Sequence, residues 1–402
     1  MALIIQKYGG SSLATPEKIK FVAEKIVKEK RKGNDVVVVV SAMGKTTDNL
    51  IELAKKISPL PPERELDLLL STGEVVSVAL LCMAIENLGE QAEGFPGYFA
   101  GIKTDSFHTK ARIQKIEPSR IKEEIAKGKI VVVAGFQGIS PERAITTLGR
   151  GGSDLTAIAL SAALKADRCE IYTDVEGVFT ADPNRVPKAR LIPVLSYDEM
   201  LEMASTGAKI MQSRAVEFAK KYNVVFVVKS TFKEGEGTMV KEIDLKEGVV
   251  VSSVSLDEKQ AKVTIFRVPD RPGIAAKIFT ELGDANINVD MIVQNVGKDN
   301  YADISFTVNV SELEKTVKIA EKAKEEIGAE KIIADEDIVK VSIIGVGMMN
   351  HPGVAGRMFK ALADENINIE MISTSEIKIS CVVRRKDGEK ALRALHREFI
   401  ET

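Results

Sequence analysis

Residues 3–16 read Leu3-Ile4-Ile5-Gln6-Lys7-Tyr8-Gly9-Gly10-Ser11-Ser12-Leu13-Ala14-Thr15-Pro16. An apolar run turns through two glycines and meets a Thr-Pro pair. Thr accepts from the free NH groups of a helix start, and Pro is preset for the first helical position. Ile19, Val22, Ala23, Ile26 and Val27 then recur at helical spacing until Gly33-Asn34. Val36 to Val40 is wholly apolar, as a strand buried on both faces requires. The opening is therefore a β-turn-α-β unit. Similar runs at Ile130 to Ala134, Glu170 to Tyr172 and Val224 to Val228 extend it into a mostly parallel sheet covered by helices. Lys233-Glu234-Gly235-Glu236-Gly237 has no periodicity, and the first domain is expected to end at 245.

The remainder holds an internal repeat. Pro272 to Ile292 aligns with Pro352 to Ile372, and 11 of 21 positions are identical. Asn286-Ile287-Asn288 recurs as Asn366-Ile367-Asn368. Two copies make a duplicated small α+β module rather than a solenoid. The first module, 262–336, has a full βαββαβ pattern. The second, 337–402, stops one strand short, leaving an unpaired sheet edge. The β-rich run Val249 to Val254, within 247–256, is expected to fill that place, so that the first module is inserted into the second.

Composition narrows the function. Of the 402 residues 45% are apolar and 28% charged, enough to bury full cores. A net charge of −2 offers no basic field for nucleic acid or an anionic membrane. No uninterrupted apolar run reaches 18 residues, and the N-terminus reads as a strand rather than a signal peptide. Cys82, Cys169 and Cys381 stand far apart, as do His108, His351 and His396. That fits a reducing, cytoplasmic setting and no zinc site.

The polar motifs fall where strands end, which is where open α/β sheets bind ligands. In Lys7-Tyr8-Gly9-Gly10-Ser11-Ser12 the glycines admit a phosphate to the backbone and Lys7 reaches it; a plain strand-to-helix turn fits equally. Ser41-Ala42-Met43-Gly44-Lys45-Thr46-Thr47-Asp48 is either a binding loop or a helix cap. In Ser71-Thr72-Gly73-Glu74, Glu74 sits at the expected start of an apolar helix, complementing its dipole or taking a substrate ammonium. Thr146-Thr147-Leu148-Gly149-Arg150-Gly151-Gly152-Ser153-Asp154 is a poor structural solution, because its glycines weaken the helix that follows. Arg150 there suits capture of a carboxylate or phosphate. Thr173-Asp174-Val175-Glu176-Gly177-Val178-Phe179-Thr180-Ala181-Asp182-Pro183 reads as a hairpin or a ligand loop, and Lys209 as a further phosphate ligand.

Taken in order, these motifs resemble those of aspartate kinase, and the terminal repeat resembles its pair of ACT domains. The resemblance covers essentially the whole chain. It implies an amino-acid-kinase-like α/β domain, a mostly parallel sheet sandwiched by helices, followed by two ferredoxin-like ACT domains. By that resemblance Lys7 and Asp154 are catalytic. Ser41, Thr47, Glu74, Phe136, Arg150, Gly151, Gly152 and Ser153 bind aspartate. Lys7, Gly9, Gly10, Ser11, Thr173, Asp174, Phe179, Asp182, Arg185 and Lys209 bind the nucleotide. The family often has Arg directly after Asp-Pro, whereas here Asn184 intervenes before Arg185; the His-Pro often found after the lysine is replaced by Ile210-Met211-Gln212-Ser213.

The implied reaction is phosphorylation of the aspartate side-chain carboxylate by ATP with Mg²⁺, the first step of aspartate-derived lysine, threonine and methionine biosynthesis. No metal ligand is assigned. Feedback by lysine, threonine or both is expected at an ACT-paired interface of a homodimer or larger homo-oligomer. The expected effector residues are Asp270, Pro272, Gly273, Ile274, Ala275, Asn288, Val289, Asp290 and Gln294, with Asn350, His351, Pro352, Gly353 and Val354 in the second copy. The competing readings are a kinase for glutamate or acetylglutamate, and a non-catalytic sensor on a dead kinase domain.

Overall fold

The computed structural model describes residues 1–206, 211–243, 250–297 and 300–401. The chain forms two compact units.

The first unit is built on an eight-stranded sheet. Its strands are β1 (Leu3–Tyr8), β2 (Asp35–Val40), β3 (Ala92–Phe95), β6 (Ile130–Ala134), β9 (Arg168–Thr173), β10 (Val194–Leu195), β11 (Phe226–Ser230) and β12 (Thr238–Val240), in the order β10-β12-β11-β9-β1-β2-β6-β3. Every neighbouring pair is parallel except β11 with β12. β1 lies between β2 and β9, so Lys7 is opposite Val39 and Ile171 in the middle of the sheet. A smaller sheet of β4 (Ile102–Thr104), β5 (Ile113–Ile116), β7 (Gln137–Ile139) and β8 (Ile145–Thr147) runs β5-β4-β7-β8.

The helices are α1 (Pro16–Arg31), α2 (Thr46–Ile57), α3 (Glu63–Glu86), α4 (Ser119–Ala126), α5 (Gly152–Leu164), α6 (Tyr197–Ser205) and α7 (Ser213–Tyr222). Thr15 caps α1 through Lys18 N, with Pro16 next to it, as the sequence suggests. Ile19, Val22, Ala23, Ile26 and Val27 of α1, with Leu81 and Ile85 of α3, bury against Val36, Val38 and Val40. α5 is buried along nearly its whole length.

α3 differs from expectation. It begins after Pro61-Pro62, so Glu74 is mid-helix and cannot serve the helix start. Ser71 and Thr72 resemble a cap in sequence, but their hydroxyls bond back to the carbonyls of Leu68 and Leu69 and the helix runs through. α3 is long and apolar enough to span a membrane by length and composition. Yet its two mid-helix acids, Asp67 and Glu74, are both buried and hydrogen-bonded.

The second unit contains both small modules. The first module has β14 (Gln260–Pro269), β15 (Val289–Val296), β16 (Tyr301–Asn309) and β17 (Lys331–Asp335) in the order β15-β16-β14-β17, with α8 (Ile274–Asp284) and α9 (Leu313–Ile327). The second has β18 (Ile338–Ile344), β19 (Met371–Thr374) and β20 (Lys378–Arg384), with α10 (Val354–Asp364) and α11 (Gly388–Phe399). Its fourth strand is β13 (Ser253–Asp257), antiparallel to β18, from Ser253 opposite Ile344 to Asp257 opposite Lys340. The spare strand thus comes from ahead of the first module, but starts at Ser253. Val250 to Ser252 are not strand, and Val249 lies outside the described residues.

The repeat persists in the backbone. Gly273 and Gly353 precede α8 and α10 at φ 94° and 93°, and Asn286 and Asn366 follow them at φ 55° and 56°. A side chain at either glycine would meet open space, so it is the left-handed backbone that selects glycine there. Residues 179–190, expected inside the first domain, pack in the second unit. Ala181 and Val186 join the core of β13, β18, α10 and α11, and Val254 N donates to Thr180 O.

Candidate active site

The carboxyl ends of β1, β2 and β9 carry the expected loops. The Lys7 ammonium lies 2.6 Å from Asp154 Oδ1, and both side chains are about nine-tenths buried. The pair is an ion contact rather than an aligned hydrogen bond, since Oδ1 accepts none. Asp154 is in the first turn of α5, where the helix dipole favours a carboxylate.

The loops after β1 and β2 close on each other: Gly44 N donates to Gly10 O at 2.9 Å. A Cβ on Gly10 would come 2.6 Å from Ala42 O, a clash that reserves the position for glycine. Gly9 donates to Tyr172 O of β9, and Ser41 N donates to Tyr8 O. Ser11 is exposed; Thr47 sits in the first turn of α2.

Glu74 is 3% exposed. Its Oε1 accepts from Ala42 N at 3.0 Å, next to Ser41. Its Oε2 is buried with no hydrogen-bond partner among the described residues. Burial pushes the Glu74 carboxyl up to about 7, against the lowering effect of the Ala42 amide.

Phe136 has φ 69°, a costly conformation for a non-glycine residue. Its NH donates to Thr156 Oγ1 and its carbonyl accepts from Leu148 N, which closes the base of the β7–β8 hairpin. Gly151 (φ 75°), Gly152 and Ser153 lead into α5. Arg150 is 89% exposed and reaches Asp48 Oδ1 at 3.0 Å, a contact not foreseen from sequence. Thr173 Oγ1 donates to Asp174 Oδ1.

Lys209 lies outside the described residues. Phe179, Asp182 and Arg185 belong to the second unit. There Arg185 is ringed by Glu258 at 2.5 Å, Asp182 at 3.7 Å and Glu389 at 3.8 Å. The Glu258 hydrogen bond chiefly raises its pKa.

In the small modules Asp270, Asn288 and Gln294 are exposed, with Pro272, Gly273 and Ala275, while Ile274 is buried and Val289 half-buried. Asp290, expected to bind an effector, pairs with the ammonium of the fully buried Lys340 in β18. In the second copy His351 Nδ1 is bonded to Gly347 O at 2.7 Å, Pro352 and Gly353 are exposed and Val354 is buried; the Asn350 side chain lies outside the described residues.

Sequence reasoning missed the supports behind these loops. Asp67 of α3 binds Thr147 and the 108–109 turn, and Arg214 of α7 donates to the carbonyls of Leu148 and Ala111 at 2.9 Å. The available signal for Asp67 was an acid two helical turns before Glu74, directly ahead of the apolar run Leu68 to Leu70.

Comparison with known proteins assigns the class. The chain matches the amino acid kinase family over residues 2–230, and ACT domains over 262–325 and 341–399. An aspartate kinase of Pseudomonas putida is 52% identical over 401 residues, covering 99% of this chain and 98% of the relative. The crystal structure of aspartate kinase from Synechocystis is 43% identical, with a TM-score of 0.57 over 99% of this chain and 69% of that one. The fold is also that of E. coli aspartokinase III in complex with aspartate and ADP, at 23% identity and a TM-score of 0.83 over 98% and 99% of the chains. The chain belongs to the amino acid kinase family, in its aspartate kinase branch with C-terminal ACT domains.

Proposed function

We propose that the chain transfers the γ-phosphoryl group of ATP to the side-chain carboxylate of L-aspartate, giving 4-phospho-L-aspartate and ADP. The observation that carries this reading is the buried Lys7–Asp154 pair at the ends of the central strands, beside two interlocked glycine loops. The name of relatives at about half identity over the whole chain supports it.

A carboxylate is already ionised at neutral pH and needs no strong base. One of its oxygens attacks the γ-phosphorus in line, the bond to the β,γ-bridging oxygen breaks, and ADP leaves with that electron pair. The barrier is repulsion between two anions, so positioning and cations supply the catalysis. Lys7, held by Asp154, meets the phosphoryl oxygens, and Gly9 and Gly10 admit the phosphates to the backbone. Arg150 exchanges Asp48 for the substrate α-carboxylate. Glu74 Oε2, buried and free of hydrogen bonds, takes the ammonium. Among the described residues no cluster of three or more acids, histidines or cysteines forms a metal cage. The Asp154 carboxylate would help to hold a Mg²⁺ carried on the nucleotide phosphates, which would supply further positive charge there.

N-acylated acids give Glu74 no ammonium, which separates aspartate from acetylglutamate. Feedback by lysine, threonine or both at the ACT modules of a homodimer or larger assembly belongs to the same reading, as does a cytoplasmic place at the head of aspartate-derived biosynthesis. Hydroxylamine trapping with ATP and each of aspartate, glutamate and acetylglutamate tests the assignment. Hydroxamate should form with aspartate; formation with another acid alone, or with none, contradicts it.

A further inference from the structure

The mechanism does not use the buried acid Asp67. Asp67 is 0% exposed, and no lysine or arginine is paired with it among the described residues. Four donor contacts from three residues converge on it instead. Thr147 Oγ1 donates to Oδ1 at 2.5 Å, Thr109 N lies 3.1 and 3.0 Å from Oδ1 and Oδ2, and His108 Nδ1 lies 2.8 Å from Oδ2. Thr109 is held at φ 63°, a strained conformation that the bond to Asp67 helps to fix.

These partners connect two parts of the amino-acid site. Thr147 ends β8, three residues before Arg150, and its carbonyl accepts from Ala111 N. The β7–β8 hairpin begins just after Phe136, and the Leu148 NH to Phe136 carbonyl bond joins its ends. The same hairpin has a second tie to α3, because Gln137 Nε2 donates to Ser71 O at 3.0 Å. Glu74 is on α3, seven residues and two turns from Asp67, on the same face. The helix carrying the ammonium ligand is thereby locked to the hairpin that carries Phe136 at one end and runs into Arg150 at the other.

We propose that Asp67 is a positioning residue for the amino-acid substrate, fixing the spacing between Glu74 on α3 and Phe136 and Arg150 at the ends of the β7–β8 hairpin. The inference rests on the aspartate-binding roles proposed above for Glu74 and Arg150 and on the one the resemblance implies for Phe136. A buried carboxylate bonded only to neutral donors and one histidine is an expensive way merely to hold a helix, since loss of its partners leaves a charge unmet. It does, however, define a distance with little play, which a two-ended clamp on a small zwitterion requires.

Steady-state kinetics of the full chain test it. Asp67→Asn keeps the shape but cannot accept on both atoms. It should raise KM for aspartate at least about tenfold while KM for ATP stays within about twofold. Thr147→Val should raise KM for aspartate in the same selective way, and Thr147→Ser, which restores the hydroxyl, should not. If Asp67→Asn yields no folded enzyme, the Thr147 pair decides. Equal movement of both KM values, a fall in kcat alone, or Thr147→Ser behaving as Thr147→Val overturns the proposal. Arg150→Lys runs alongside. If it leaves KM for aspartate unchanged, the proposed binding site itself fails. If it raises that KM and the Asp67 and Thr147 variants do not, only the positioning role fails.

Discussion

Glu74 holds an oxygen that is buried and without a hydrogen-bond partner among the described residues, and burial outweighs the Ala42 amide that opposes it. Its carboxyl is raised to about 7 from the ordinary 4.5. Between those values the unfolded chain has lost the proton and the folded chain keeps it, so stability is full below about 4.5 and falls as pH rises through about 7. Glu74→Gln should therefore be more stable than the parent at pH 8, by on the order of 3 kcal/mol as an upper bound, and no different at pH 4.5. Denaturant unfolding at the two pH values reads this; an equal effect at both contradicts it. Because an ammonium needs the ionised form, KM for aspartate should rise as pH drops below about 7 in the parent and lose that dependence in Glu74→Gln. At the same scale, Lys7→Ala should lower kcat on the order of 10³-fold with the fold intact, since one preorganised donor at developing charge has that size of effect. Near-parent turnover, with circular dichroism unchanged, would remove Lys7 from the reaction. The loops themselves stood out in the sequence because glycines and charged residues follow directly on apolar runs that read as strands. The Arg150–Asp48 contact did not, since it joins two loops far apart in sequence.

Elements were legible where hydrophobic period and turn chemistry agreed, as in Val36 to Val40 or the Pro-Gly turns before α8 and α10. α3 misleads because Ser71-Thr72-Gly73-Glu74 has the composition of a helix start, while side-chain bonds to the preceding turn carry the helix through it. The Asp290–Lys340 pair was equally hidden, because its two members lie on strands of different modules. Lys340 of β18 is buried opposite Val382 of β20, and Val382 belongs to a small apolar cluster with Met291, Ile338 and Met371. Asp290→Ala leaves that ammonium unpaired and should destabilise the regulatory unit by on the order of 3 kcal/mol. Combining it with Lys340→Met should recover most of the loss. Hydrogen exchange of the β18 amides measures both, and unchanged protection in Asp290→Ala would contradict a stabilising role for the pair.

At the scale of the whole molecule, the sequence announced a catalytic domain and a duplicated module, and the missing strand of the second copy told where to look for its replacement. It did not reveal that 179–190 packs with the second unit, because Ala181 and Val186 contribute to a core whose other members come from strands and helices about 70 to 220 positions later. If these modules sense an amino acid, Asp270→Ala should abolish inhibition while sparing uninhibited turnover. Calorimetry with lysine, threonine and both together checks it, and the absence of any heat of binding contradicts it. The central claim is narrower: the bond formed lies between phosphorus and an oxygen of the aspartate side chain. Aspartate labelled with ¹⁸O in that carboxylate, incubated with ATP and trapped with hydroxylamine, tests it directly. Attack at the acyl carbon should release phosphate bearing one ¹⁸O atom, in amounts equal to the hydroxamate. Phosphate without label would mean that the γ-phosphoryl group went to water or to another acceptor.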